Sequence, residues 1–297
     1  MTMRITFIFL DGMGLAHASA TNPFTVSSMP RLAALLNGPL TAQSQQSSPT
    51  LLLKGIDACL GIDGLPQSAT GQTSLFTGIN AAALLGYHLP AFPNEPLVKT
   101  IHETSLLKAA AEKGLSCTFA NAYSPRYFEL VAKGLRMHSV TTQCVLAAKL
   151  PFRTTEDLRR GEAVYWDMTN EHLSDSGIAV IEPGLAGWRC AKLSQQFDLV
   201  LYENFLPDVL GHRRDYAAIA RMLRGLDEFL HAFLKETGPD HSLVVTSDHG
   251  NIEDLTTGNH TRNPVPLLAI GPIAAPMTRA ESITDVMGLL LNFWRPL

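Results

Sequence analysis

Cysteine is scarce in this chain and unpaired: Cys59, Cys117, Cys144 and Cys190 are its four, and none stands in a Cys-x-x-Cys arrangement. That pattern argues against a zinc ribbon or a disulfide framework. Read as buried thiols, the four fit a reducing compartment and a cytoplasmic protein. Charge is sparse as well, at 17% of residues, and no run of Lys or Arg could track a phosphate backbone, so nucleic acid is not expected as a partner. Long apolar runs are missing too. Nothing approaches the roughly 18 uninterrupted apolar residues of a membrane span, and no membrane partner is expected. The apolar N-terminal run meets Asp11 within a few residues and has no small-residue cleavage site, so it reads as a first β-strand rather than a signal peptide. Composition leaves the oligomeric state open.

What is present describes an ordinary folded protein of 297 residues, 46% hydrophobic, with a net charge of -4. The length suits one large α/β domain, or a core carrying a smaller insert. Residues 4–10 form a nearly continuous apolar run rich in β-branched and aromatic side chains, as expected for a strand covered on both faces. The signal recurs at 197–202, 242–246 and 265–270. Between these runs, residues 216–236 place Ile219, Met222, Leu223, Leu226, Phe229, Leu230 and Phe233 at helical spacing, which gives one face to pack on a sheet. Residues 282–293 predict a C-terminal helix with Ser282 as N-cap. Strands alternating with helices imply a mostly parallel central sheet with helices on both faces, whose ligands bind beyond the carboxyl ends of the strands. The stretch 89–177 opens with three prolines, holds a helical pattern at 105–113 and carries many of the remaining basic residues. It reads as an insert or cap over a core made of 1–88 and 178–297.

Each strand-like run stops at or near side chains that bind metals. Asp11 follows the first. Pro207-Asp208-Val209-Leu210-Gly211-His212 follows the second, Ser247-Asp248-His249-Gly250 the third, and Asn259-His260-Thr261 precedes the fourth. Three carboxylates and three imidazoles make a mixed oxygen and nitrogen set that suits zinc or manganese, with magnesium also allowed, in numbers sufficient for two ions. Asp208 and His212 are four apart, so a helical turn puts both on one face. Asp248 and His249 are adjacent and converge only if the chain bends, which Gly250 permits. The segment 64–78, dense in Ser, Thr and Gly, reads either as a plain capped helix start or as a helix N-terminus that presents the Ser68 hydroxyl to an anion. A serine hydroxyl is a poor nucleophile unless a base or metal lowers its pKa, and two metals roughly 4 Å apart do that.

Asp11-Gly12, the Ser68 segment, Asp208-x-x-x-His212, Ser247-Asp248-His249-Gly250-Asn251 and His260-Thr261 followed by Pro264-Val265-Pro266 together resemble the alkaline phosphatase superfamily. The branch resembled is that of cofactor-independent phosphoglycerate mutase and shorter metalloenzymes related to it. The resemblance implies one divalent metal on Asp208, His212 and His260, and another on Asp11, Asp248, His249 and the Ser68 oxygen, with Ser68 forming a phosphoserine. About 140 residues separate Ser68 from Asp208, too few for the mutase's large inserted domain. Ser68-Ala69-Thr70-Gly71-Gln72 also lacks the Pro and Arg that follow a sulfatase nucleophile. The expected activity is therefore hydrolysis of a small phosphate ester. Phosphate transfer within one molecule is the first alternative, and a metal-binding protein without turnover the second. Gln72, Asn80, His88, Arg126 and Arg136 are candidate substrate contacts, whereas Tyr123-Ser124-Pro125-Arg126 as a motif and the stretch 167–171 suggest no role.

Overall fold

The computed structural model describes residues 3–26 and 29–294. Nine strands are present among them: β1 Arg4–Leu10, β2 Gln46–Ser47, β3 Leu51–Ile56, β4 Cys117–Phe119, β5 Ala122–Tyr123, β6 Arg153–Thr154, β7 Leu199–Asn204, β8 His241–Thr246 and β9 Val265–Ile270. Seven of them make one sheet in the order β2-β3-β9-β8-β1-β7-β4. Its core is parallel, since β1 pairs with both β7 and β8 in that sense, and β4 with β7. The β9 edge departs from the alternating pattern. β9 runs antiparallel to β8 and to β3, and β2 is antiparallel to β3. The reason is the connection 247–264, which contains no crossover helix, so the chain returns from the end at which β8 stopped.

Side chains along β1 alternate between two cores, as the period of a strand requires. Ile5, Phe7 and Phe9 pack with Phe76 and the helices Ser68–Thr77, Val140–Ala147 and Ile283–Phe293. Ile8 and Leu10 face the helices Pro183–Ser194 and Tyr216–Glu236. All seven apolar residues of the 216–236 stripe are buried. Ser282 caps the last helix by accepting from Thr284 N, in a capping box with Asp285. The 216–236 stripe and the Ser282 cap follow from pattern and capping visible in the sequence.

The boundary at residue 89 does not hold. β4 sits in the main sheet, and the helices Glu95–Glu103, Leu106–Glu112 and Val140–Ala147 bury Ile101, Leu106, Leu107 and Cys144 in the first core. A covered strand needs helices on its face, and this stretch supplies them. What stands outside the layers is smaller: the β5–β6 pair, the helices Pro125–Ala132 and Thr155–Arg160, and a satellite cluster of Ala122, Leu158, Ala163, Leu173 and Ile178. Among the described residues no helix is long and apolar enough to cross a membrane. All four cysteines are free thiols, and burial pushes Cys117, Cys144 and Cys190 up to about 12, which keeps them unreactive.

Candidate metal centre

The ligand-bearing segments reach the same end of the sheet. β1, β3, β7 and β8 all point their carboxyl ends there, and the antiparallel β9 starts there. Asp11 follows β1 directly. Beyond β7 the helix Leu206–Arg213 carries Asp208 and His212 one turn apart. After β8 the chain bends at Asp248 and His249, so neighbouring side chains that would diverge in a strand turn to one side. Gly12 sits at φ +71°, and a Cβ there would lie 2.7 Å from the Asp208 Cα; only glycine lets the Asp11 turn pass beneath that helix. Gly250 matters through space rather than through φ, because it bridges to Thr261 and a Cβ would strike the Thr261 and Glu253 side chains.

Seven expected groups meet here. Ser68, the first residue of its helix, holds Oγ 3.1 Å from His249 Nε2. His249 Nε2 is 3.3 Å from Asp11 Oδ1 and 3.6 Å from Asp248 Oδ2. Asp208 spans the other two imidazoles, Oδ1 at 3.4 Å from His260 Nε2 and Oδ2 at 3.3 Å from His212 Nε2. The His249 and His260 rings stack at 3.7 Å. Asp248 and His249 are fully buried, Asp11 and His260 nearly so, and His212 stands at the exposed rim.

The donor chemistry fits divalent cations. His260 Nδ1 lies 2.7 Å from the Pro66 carbonyl and His212 Nδ1 2.7 Å from the Gly258 carbonyl, so each Nδ1 donates. Each Nε2 is thereby left facing inward, a lone pair whenever its ring is neutral, and the two are 3.2 Å apart. Two lone pairs cannot bond each other; they need a proton or a metal between them. Asp11 Oδ1 and Asp248 Oδ2 are buried without a hydrogen-bond partner, which leaves them free to take a cation. Two overlapping groups, Asp208 with His249 and His260, and Asp11 with Asp248 and His249, could each hold an ion.

The charges tell the same story. Burial, then the Asp11 carboxylate, raises the Asp248 carboxyl well above its usual range. Burial opposes charge on His249, yet the carboxylates of Asp248 and Asp11 outweigh it and lift its pKa to about 10. Burial also opposes ionisation of Asp208, but bonds from His260 and Asn251 and the charges of His249 and His212 hold it well below the carboxylate range. Three packed carboxylates thus draw positive charge from wherever it is available.

Supporting residues surround the ligand set. Asn251 Nδ2 donates to Asp208 Oδ1 at 2.8 Å, and Gln72 Nε2 donates to Asp11 Oδ2 at 3.1 Å. Buried Glu253 accepts from Gly14 N, Asn251 N and Asn263 Nδ2 at 2.9, 2.8 and 3.0 Å and also from Thr261 Oγ1, tying the 247–264 connection to the β1 turn. Ser68 opens onto a cleft of about 740 Å³ whose lining includes Gln72, Arg126 and Arg136. Asn80 and His88, expected as substrate contacts, do not line the cleft. Asn80 caps the helix Ala81–Leu85 and donates to Leu60 O, while the His88 ring is bonded to the Ile62 carbonyl and burial lowers its pKa. Glu203 escaped the sequence reading. It is buried on β7, bonded to Thr141 Oγ1 at 2.8 Å, and pushed up to about 8 by burial and then by the Asp11 charge. A lone acid near the end of an otherwise apolar run was its signal. Tyr127, Tyr165, Trp166 and Phe205, also in the lining, gave no such sign.

The fold is the alkaline phosphatase-like α/β fold. Alkaline phosphatase from the Antarctic bacterium TAB5 superposes with a TM-score of 0.56 at 12% identity, covering 99% of this chain and 98% of that one. Phosphoglycerate mutase of Leishmania mexicana gives 0.52 at 12% identity over 100% and 96%. Residues 186–294 match the model of the Metalloenzyme superfamily. A phosphopentomutase of Methylobacterium radiotolerans is 40% identical over 78 residues, 26% of this chain and 19% of the relative. A 2,3-bisphosphoglycerate-independent phosphoglycerate mutase of Roseobacter denitrificans is 28% identical over 157 residues, 50% of this chain and 27% of the relative. The chain therefore spans less than a third of the length of either curated relative.

Proposed function

We propose that the protein is a phosphoesterase dependent on two divalent metals, manganese or zinc with magnesium as an option, which hydrolyses a small phosphate ester through a phosphoserine at Ser68. The observation that carries this reading is the convergence of the Ser68 hydroxyl with three carboxylates and three imidazoles at the floor of an open cleft. Asp11, Asp248, His249 and Ser68 would hold one ion, and Asp208, His212 and His260 the other. When bound, the ions supply Lewis acidity that lowers the pKa of the serine hydroxyl and offsets charge on the leaving oxygen.

The chain's own groups do the rest. Ser68 opens a ten-residue helix whose remaining residues are all buried, so the hydroxyl is held still. The Ser68 and Ala69 N–H groups donate to no acceptor among the described residues, and they face the anion that a helix N-terminus favours. The bond from Ser68 Oγ to phosphorus forms as the ester P–O bond breaks. Water, which reaches the half-exposed Ser68, then cleaves the phosphoserine and restores the hydroxyl.

Transfer of the phosphoryl group within one substrate is the second reading, favoured by the mutase names of the matched relatives. Acid quenching of metal-loaded protein during turnover of a labelled phosphate ester tests both. Label on Ser68 that passes to inorganic phosphate supports hydrolysis, and label that returns to substrate at a new hydroxyl supports transfer. No label on Ser68, with turnover undiminished, overturns the nucleophile.

A further inference from the structure

The metal centre occupies only the floor of the cleft. Seven of the 29 lining residues are aromatic, against 7% of the whole chain, so the upper wall is built from rings. Trp166 and Phe205 stack with centroids 4.0 Å apart and planes at 17°. Both are half-buried, as are Tyr127 and Tyr165. The Arg136 guanidinium lies 5.2 Å over the Tyr127 ring. Rings in a cleft with one side wet gain when a flat apolar guest covers them.

The wall is braced before any guest arrives. Asp167, buried beside Trp166, accepts from the backbone N–H groups of Thr169, Asn170 and His172 and from His172 Nδ1. Tyr202 Oη donates to the Tyr165 carbonyl at 3.0 Å. A ring held in place loses little entropy when a ligand docks, which favours affinity. The stretch 167–171, which suggested no function by itself, thus serves to fix the aromatic wall.

Charge narrows the guest further. The lining holds the carboxylates Asp11 and Asp208 and the carboxyl of Glu203, and its cations outside the histidines are Arg126 and Arg136, both exposed and without an ion-pair partner among the described residues. A compact polyanion would meet few cations beyond the metals. A neutral ring with acceptors along its edge would meet aromatic faces and two guanidinium donors. The volume, about 740 Å³, is also far more than a phosphate group requires.

We propose that Tyr127, Tyr165, Trp166 and Phe205, with Arg136 at the mouth, form a stacking site for a heteroaromatic ring carried by the phosphorylated substrate, which is a monoester of nucleoside size. The reacting end of this assignment rests on the phosphoester reading above; the ring site rests on the wall alone.

Calorimetry on metal-loaded Ser68→Ala protein, which cannot turn over, separates the two with three probes: adenosine, adenosine 5′-monophosphate and ribose 5-phosphate. The nucleotide should bind roughly tenfold or more tightly than the sugar phosphate, and adenosine should bind measurably. Trp166→Ala in that background should collapse the difference. Phe205→Leu, which keeps apolar volume and removes the ring, should reduce it too and carries the test if the tryptophan variant fails to fold. Equal binding of nucleotide and sugar phosphate, with none of adenosine, overturns the ring site and leaves the phosphoester reading standing. Adenosine binding with no gain from a phosphate does the reverse. A nucleotide preference untouched by both variants also overturns the site, since the ring then binds elsewhere.

Discussion

The same two strands, β1 and β8, carry a histidine at each end of their shared ladder, and the two imidazoles behave in opposite ways. His241 opens β8 opposite Arg4, its Nε2 3.0 Å from Thr6 Oγ1; burial and then the Arg4 charge push its pKa down to about 4. His249 lies just beyond the other end, more deeply buried, yet its pKa is lifted to about 10 by the carboxylates of Asp248 and Asp11. Burial alone would make both neutral. Neighbouring charge decides, and only the carboxyl end of the sheet gathers three carboxylates around its imidazole.

Variants that act at one end and spare the other sharpen this contrast. The largest effect belongs to Ser68→Ala, which should lower turnover by roughly 10³-fold or more while leaving the unfolding midpoint near that of the parent, because hydroxyl and metals act as a unit. A rate within a few-fold of normal would remove Ser68 from the reaction. At the quiet end, His241 has a folded pKa below its unfolded value of 6.5. The unfolded chain then takes up the proton first, so stability is full above about pH 6.5 and falls as pH drops toward 4, by on the order of 3 kcal/mol. Denaturation curves compared between about pH 7 and about pH 4 should show a smaller loss in His241→Gln. Equal slopes in both proteins would contradict the burial argument.

Metal loading comes next in size. Adding manganese or zinc to chelated protein should raise stability by about 2.7 kcal/mol at a hundredfold excess over Kd, read as an unfolding midpoint that climbs with metal concentration. A midpoint insensitive to metal would mean that the carboxylates are balanced by protons alone. The smallest effect is expected of Asn251→Ala. Without its bond to Asp208, metal affinity should drop about 10- to 100-fold with turnover restored at high metal concentration, and unchanged affinity would show that the amide does not orient the carboxylate.

The floor of the site was legible because its chemistry demands particular residue types at strand ends. Asp11, Asp208 with His212, Asp248 with His249, and His260 each follow or precede an apolar run, and Ser68 begins a Ser/Thr-rich helix. The stripe of 216–236 and the Ser282 cap were legible for similar reasons, since periodicity and capping are local properties. Strand direction is not local. Nothing in residues 265–270 says that β9 runs against β8; only the lack of a helix in the preceding connection does. The 89–177 stretch hid its division because a core strand of three residues, β4, is too short to show a period. Asn80 and His88 lie near Ser68 in sequence, but the buried Ser68 helix carries the chain away from the cleft before either is reached. The aromatic wall draws on residues from 92 to 205, and only the folded chain brings those rings together.

The carbonyl that fixes the His260 ring belongs to Pro66, two residues before Ser68. Nucleophile and imidazole are thereby set by one short piece of backbone, and neither can drift without the other. A substitution in the 57–67 loop, which carries no ligand of its own, would tilt both at once, so this loop is where natural variation could retune the reaction while every ligand stays the same.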